Sequence, residues 1–201
     1  MSNRPTSIND DGSTVWACLK VVDYLKPLIE NPLGQEQLLE KVDTVERHIA
    51  PFASKADFKR WMSSKSGGVR VSVLGVTGYE KEGNRIIGDI RFVAHVYAAD
   101  KWGYQKDIRA EIISSAVARA LMKNKATPEA YSKPMQVSNK NLYSGSIDEL
   151  GVACWAVEWT QKWYVDVPVD ETTLDEFITF GLTGELEYGE PTIEGEVKLP
   201  Q

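Results

Sequence analysis

The clearest hydrophobic pattern lies in the middle of the chain. Val69, Val71 and Val73 alternate with Arg70, Ser72 and Leu74, the period-two spacing of a strand with one buried face. The glycines at 75 and 78 end that run, and residues 79–84 supply turn chemistry. Ile90, Phe92, Ala94 and Val96 then mark alternate positions of a second strand over residues 86–98. Two strands joined in this way predict an antiparallel hairpin.

After a turn at Asp100-Lys101-Trp102-Gly103 the period becomes helical. Ile108, Ile112, Ile113, Ala116, Val117, Ala120 and Leu121 trace one apolar face, and the helix is expected to stop near Lys123-Asn124, with basic residues in its last turn and Pro128 beyond. Pro134 opens a third strand over residues 135–143, and residues 145–151 lead into a fourth over 152–165. Trp155, Val157, Trp159 and Trp163 share one face of this last strand. Such aromatics bury roughly 150–250 Å² each, so this face must lie against the helix or against another subunit. The order strand, strand, helix, strand, strand predicts an α+β fold: an antiparallel or mixed sheet of four to five strands with helices packed on one face.

Nearer the start the pattern is weaker. Residues 1–13 read as a flexible arm, and Ser13 or Thr14 can cap a helix beginning at Val15. Trp16, Leu19, Val22 and Ile29 recur at roughly helical spacing, while Pro27 predicts a kink or an end near residues 24–26. Asn31-Pro32 and Gly34 break the chain. Residues 35–49 fit either a short helix or a strand, residues 56–62 a further turn of helix, and residues 63–68 a loop.

Charge divides the chain more sharply than hydropathy does. Of 201 residues, 42% are hydrophobic and 26% charged, ordinary globular composition for one domain with appendages. The net charge is -6, but nine of the 29 acids and only one of the 23 bases lie in residues 168–201. That segment therefore carries -8, while residues 1–167, with 22 bases and 20 acids, carry +2. The chain lacks the basic footprint of a nucleic-acid binder. The acidic segment reads as a solvated appendage or as a docking arm. The second reading draws on its interspersed Leu174, Phe177, Ile178, Phe180, Leu182, Ile193 and Val197, which a purely solubilising tail does not need. The organisation expected is an arm over 1–13, one α+β domain over 14–167 and an acidic tail over 168–201.

Catalytic chemistry leaves little trace. Cys18 and Cys154 form no disulfide framework or C-x-x-C pair, and neither His48 nor His95 has a ligand at metal-binding spacing. His95 sits on a predicted strand, where a satisfied sheet or interface histidine is the expected reading. The glycines at 75, 78 and 83 lack the G-K-[ST] of a phosphate loop, and no G-x-S-x-G elbow occurs. Neighbouring acid pairs such as Asp148-Glu149 read as solvated. No enzyme, cofactor or metal is expected. With no apolar run long enough to span a bilayer and no secretory pattern at the start, the expected compartment is cytosolic.

The stretch from residue 69 to 165 resembles the tail terminator proteins of Mu-like long-tailed phages. The resemblance rests on the hairpin, the helix Asp107-Ile-Arg-Ala-Glu-Ile running to Leu121, Asn141-Leu142-Tyr143-Ser144, an acidic turn at Asp148, and Gly151-Val-Ala-Cys-Trp-Ala-Val-Glu-Trp159. It implies a structural virion assembly protein, a subunit that closes into a ring, commonly hexameric, on the end of a finished tail tube. Such a ring stops tube polymerisation and offers a head-tail joining surface. The partners implied are copies of the chain, the tail tube protein, a neck or head-completion protein and, in a contractile tail, the sheath protein. DNA would only pass through the lumen, with no membrane involved, and the location would be host cytoplasm during assembly and then the tail-neck region of the virion. A ring needs two different patches on each subunit, for which Trp155, Trp159, Trp163, Phe177 and Phe180 are the candidate interface residues. The alternative is a small-ligand or peptide-binding α+β module in which Trp155, Trp159 and Trp163 line a pocket.

Overall fold

The computed structural model describes residues 9–31, 38–48, 52, 54–123, 127–142 and 144–167, together with the backbone of 179–184 and 193–198. The chain divides into two units, Met1–Val167 and Pro168–Gln201. In the first, the elements run α1 (Thr14–Ile29), β1 (Thr44–Arg47), α2 (Lys55–Met62), β2 (Gly67–Glu82), β3 (Arg85–Ala98), α3 (Lys106–Leu121), β4 (Met135–Asn141), α4 (Gly145–Asp148) and β5 (Ala153–Tyr164). The five strands form one mixed sheet in the order β1-β2-β3-β5-β4. Only β1 runs parallel to its neighbour; the other pairs are antiparallel. The architecture is α+β.

Each end of α1 shows how local chemistry sets an element. Ser13 is extended and its hydroxyl accepts from the Trp16 N–H, satisfying one of the donors a helix start leaves free. The backbone before it turns, with Ser13 N–H donating to Asp10 O, so residues 9–13 continue into the cap; residues 1–8 of the expected arm lie outside the described residues. Pro27 does not end the helix, which runs to Ile29. Its missing N–H removes one hydrogen bond in the last turn, a cost outweighed by burying Leu25 and Ile29.

The sheet alternates as its pleat requires. Val69 and Val71 of β2, Ile90, Phe92, Ala94 and Val96 of β3, and Val157, Trp159 and Trp163 of β5 line one face, where they meet Val21 and Leu25 of α1 and Ile113, Val117 and Leu121 of α3. Tyr24 of α1 ties the two helices by donating to Ala120 O at 2.7 Å. The opposite face is covered at one end by a smaller cluster. Phe58 and Met62 of α2 join Val152, with Phe52, Trp61, Tyr97, Ile147 and Leu150 partly buried around them. Thus α1 and α3 share one face, as the sequence pattern leads one to expect, and the short α2 and α4 serve residues such as Tyr97 that alternation places on the other.

Elsewhere the elements differ from expectation in length. Residues 75–82 are strand, not turn: β2 continues to Glu82 through irregularities at Val73/Gly75 and Thr77/Glu80, and the chain reverses only at Gly83, which has φ +59. Residues 44–47 resolve as strand and residues 55–62 as helix, with Ser54 as N-cap. The turn over 145–151 contains α4, capped by Ser144.

In the second unit, β6 (Thr179–Gly184) pairs antiparallel with β7 (Ile193–Lys198) as a two-stranded ribbon.

Candidate interaction surfaces

Two of the three tryptophans expected at an interface, Trp159 and Trp163, lie inside the domain. Trp159 and Trp163 are 2% and 0% exposed. Trp159 stacks on Phe92 at 5.2 Å, and Trp163 meets Trp16 of α1 edge-on at 5.6 Å. Of the two outcomes open to an indole-bearing strand, burial against the helices is the one realised. Trp159 and Trp163 therefore have no surface to offer a partner or a ligand, and Trp155 is partly buried against the same core. Phe177 lies outside the described residues, and Phe180 is a backbone position of β6 paired with Val197.

The solvent-facing surface offers two open sheet edges. Strand β1 covers β2 only from Gly68 to Val71, so among the described residues no strand pairs with the outer edge of β2 beyond that point. Tyr79, 65% exposed, projects from that stretch. At the far side β4 is the last strand, almost wholly exposed, with an irregular pairing between Met135 and Ser138 and Gln136 at φ +54. Irregularities of this kind keep an edge from pairing indiscriminately.

A third surface was not legible as a site from the sequence. Trp102 and Tyr104 are 51% and 47% exposed, and Ile108, at the start of α3, is 47% exposed. With Leu38, Leu39, Ile112 and Glu40, which pairs with Arg119 at 3.3 Å, Trp102 and Tyr104 line an open depression of about 500 Å³. The face of α3 that enters the core is set by Ala110, Ile113, Val117, Ala120 and Leu121 together with Arg109. Ile108 and Ile112, which the spacing assigned to that face, fall on its flank. Arg109 takes an inner place because its Nη1 donates to Ser66 O at 2.7 Å and also to Ala99 O. The turn that carries Trp102 is itself unusual. Lys101 and Tyr104 exchange both backbone hydrogen bonds, at 3.1 and 2.9 Å, and the two residues between them have positive φ, 54° at Trp102 and 79° at Gly103. A mirror-image turn of this type favours Asn or Gly at its first central position. A bulky residue there costs on the order of 1–2 kcal/mol. Lys101 lies over the ring, its Nζ 4.3 Å from the centroid.

On the other face of the sheet, a cavity of about 340 Å³ opens between α2, α4 and the sheet, lined by Phe52, Phe58, Tyr97, Leu142, Ile147 and Cys154 among others. Burial pushes the Cys154 thiol up to about 12 and raises Tyr97, while burial holds His95 below its usual range. A thiol with that pKa is protonated at neutral pH and a poor nucleophile; Cys18, pushed up to about 11 by burial, is in the same condition. The Arg70 guanidinium stacks over Phe52 at 4.0 Å and pairs with Glu46 at 3.0 Å, fixing the aromatic cluster beside the cavity. Among the described residues no group of three or more His, Cys, Asp or Glu stands together to hold a metal ion, and no helix is long and apolar enough to cross a membrane. Neither a comparison with protein families nor one with curated proteins finds a match to this chain.

Proposed function

We propose that this protein works by assembly, as a tail terminator: a subunit that closes with its own copies into a ring on the end of a phage tail tube, halts tube growth and presents the surface on which the head is joined. The observation that carries the reading is the asymmetry of the sheet. Its open edges belong to different strands, β4 on one side and β1, with β2 beyond it, on the other. Two unlike edges on one subunit suit a head-to-tail contact, which closes into a ring when its rotation permits. The near-neutral charge of residues 1–167 suits a lumen through which DNA must slide without sticking. The partners in this reading are the tail tube protein, a neck or head-completion protein and, in a contractile tail, the sheath protein, with the virion tail-neck as the final location.

Electron micrographs of tail tubes polymerised with and without the protein test this reading. It predicts a ring on tube ends and arrested growth; tubes that lengthen unchecked and carry no density at their ends would refute it. A second reading, an apolar-ligand module, has the 340 Å³ cavity in its favour. It differs from the expected form, because the cavity is lined by Phe52, Phe58 and Tyr97 and not by Trp155, Trp159 or Trp163. Trp61 lies 5.4 Å from Phe52, so a ligand entering there would shift indole fluorescence in the absence of assembly.

A further inference from the structure

The ribbon of the second unit has a pattern that the register makes plain. Phe180 pairs with Val197, Leu182 with Gly195, and Gly184 with Ile193. Cross-strand partners lie on the same face and faces alternate along each strand, so positions 180, 182, 193 and 197 share one face and are all apolar. The other face holds Thr179, Thr183, Glu194, Glu196 and Lys198. A lone two-stranded ribbon is marginal in water, and on one face of this one every register position other than glycine carries an apolar residue. The first unit carries the converse feature. At the Lys101–Tyr104 turn, a tryptophan is held in left-handed backbone and half exposed, lining one depression with Leu38, Tyr104, Ile112 and the Arg119-paired Glu40, and Ile108 lies one turn before Ile112 on α3; a Trp and Tyr so exposed are of the kind that anchors interfaces.

We propose that the Trp102 turn and its apolar neighbours receive the apolar face of the β6-β7 ribbon from a second copy of this chain. The proposal deepens the ring reading and rests on it. Charge disfavours the alternative: two arms of -8 repel each other, whereas the body carries +2 and Glu40 in the depression is already paired with Arg119. Reach permits it, since the eleven residues 168–178 between the units can span at most about 36–40 Å, about the diameter of a compact body whose radius of gyration is ~15 Å and so enough to reach a copy that adjoins its own. Because every copy carries one arm and one receiving surface, the contact is head-to-tail and reinforces ring closure.

Cysteine cross-linking of the full chain tests this. Ile108→Cys places a thiol on the receiving surface, Val197→Cys one on the apolar face of the ribbon, and Glu196→Cys one on the opposite face; the native thiols are buried. Oxidation of mixed Ile108→Cys and Val197→Cys proteins should give a two-chain product, and Glu196→Cys should give about tenfold less. Trp102→Ser should lower the yield with Val197→Cys by about tenfold. The proposal is overturned if the Ile108→Cys/Val197→Cys double variant links only within single chains, if Val197→Cys links mainly to itself, or if no link forms. Sedimentation of the wild-type protein with tube ends separates the two failures. Rings without the cross-link sink the arm contact alone, whereas the absence of rings sinks the terminator reading.

Discussion

Single side chains decide between surface and core. Trp159 is stacked on Phe92 and 2% exposed, so Trp159→Ala should cost about 3–5 kcal/mol of folding stability, a fall in Tm of about 10 °C for a chain of this size. Thermal unfolding checks this; a variant that melts normally but fails to assemble would return the residue to an interface. Gly68 makes a similar argument by absence. A Cβ there would stand 2.6 Å from the ring edge of Trp61, so Gly68→Ala must displace the indole and with it α2. A loss of about 1–3 kcal/mol in denaturant titration is expected. Asp166 gives the acid limb. Its carboxylate pairs with Arg85 at 2.8 Å and accepts from the Ile86 N–H, and the Arg85 hydrogen bond, against the opposing effect of burial, holds it below the ordinary 3.8. A depressed folded pKa means the unfolded chain binds the proton more readily. The contribution is therefore complete above the unfolded value and disappears as pH falls through the folded one. Asp166→Asn should flatten the dependence of stability on pH below about 4 and leave the neutral range with a constant deficit.

Elements differed in how far the sequence revealed them, and the reasons are physical. Strands β3 and β5 and helix α3 were legible because each buries a continuous face, so their periods of two and 3.6 are written in apolar residues. Strand β2 was legible only to Leu74. Beyond that point its exposed positions carry Thr77, Glu80 and Lys81, its irregularities break the period, and its glycines imitate a turn. Strand β1 was illegible because four residues show no period, and its parallel pairing with β2 follows from long-range packing. The face of α3 was legible at Ile113, Ala116, Val117, Ala120 and Leu121, all buried, but not in its first turns, where Arg109 is held inward by carbonyls of Ser66 and Ala99 that adjoin distant strands. The consequence was that Ile108 and Ile112 were counted as core, when Ile108 is exposed and Ile112 lines the Trp102 depression. The indole face of β5 was legible as buried, but what it was buried against was not. At this scale the cap of α2 gives a direct check. Ser54 accepts from the Asp57 N–H at 3.1 Å, and Ser54→Ala should cost about 1 kcal/mol and loosen the aromatic cluster, visible as a gain in the solvent exposure of Trp61 fluorescence.

For the whole molecule, two units of opposite charge imply a division of labour. Residues 1–167 contain the sheet and both hydrophobic clusters, so removal of residues 168–201 should leave the melting temperature of the body nearly unchanged while weakening assembly, most visibly at low salt, where an attraction between -8 and +2 is least screened. Assembly that is indifferent to the deletion at every salt concentration would reduce the tail to a solubilising appendage. The central claim, that this chain acts by joining copies of itself on a tube end, is tested most directly by counting copies there. Native mass measurement of capped tube ends should find one closed ring of identical subunits, six in the commonest arrangement, at each capped end; single, unassociated chains with tube ends bare would contradict it.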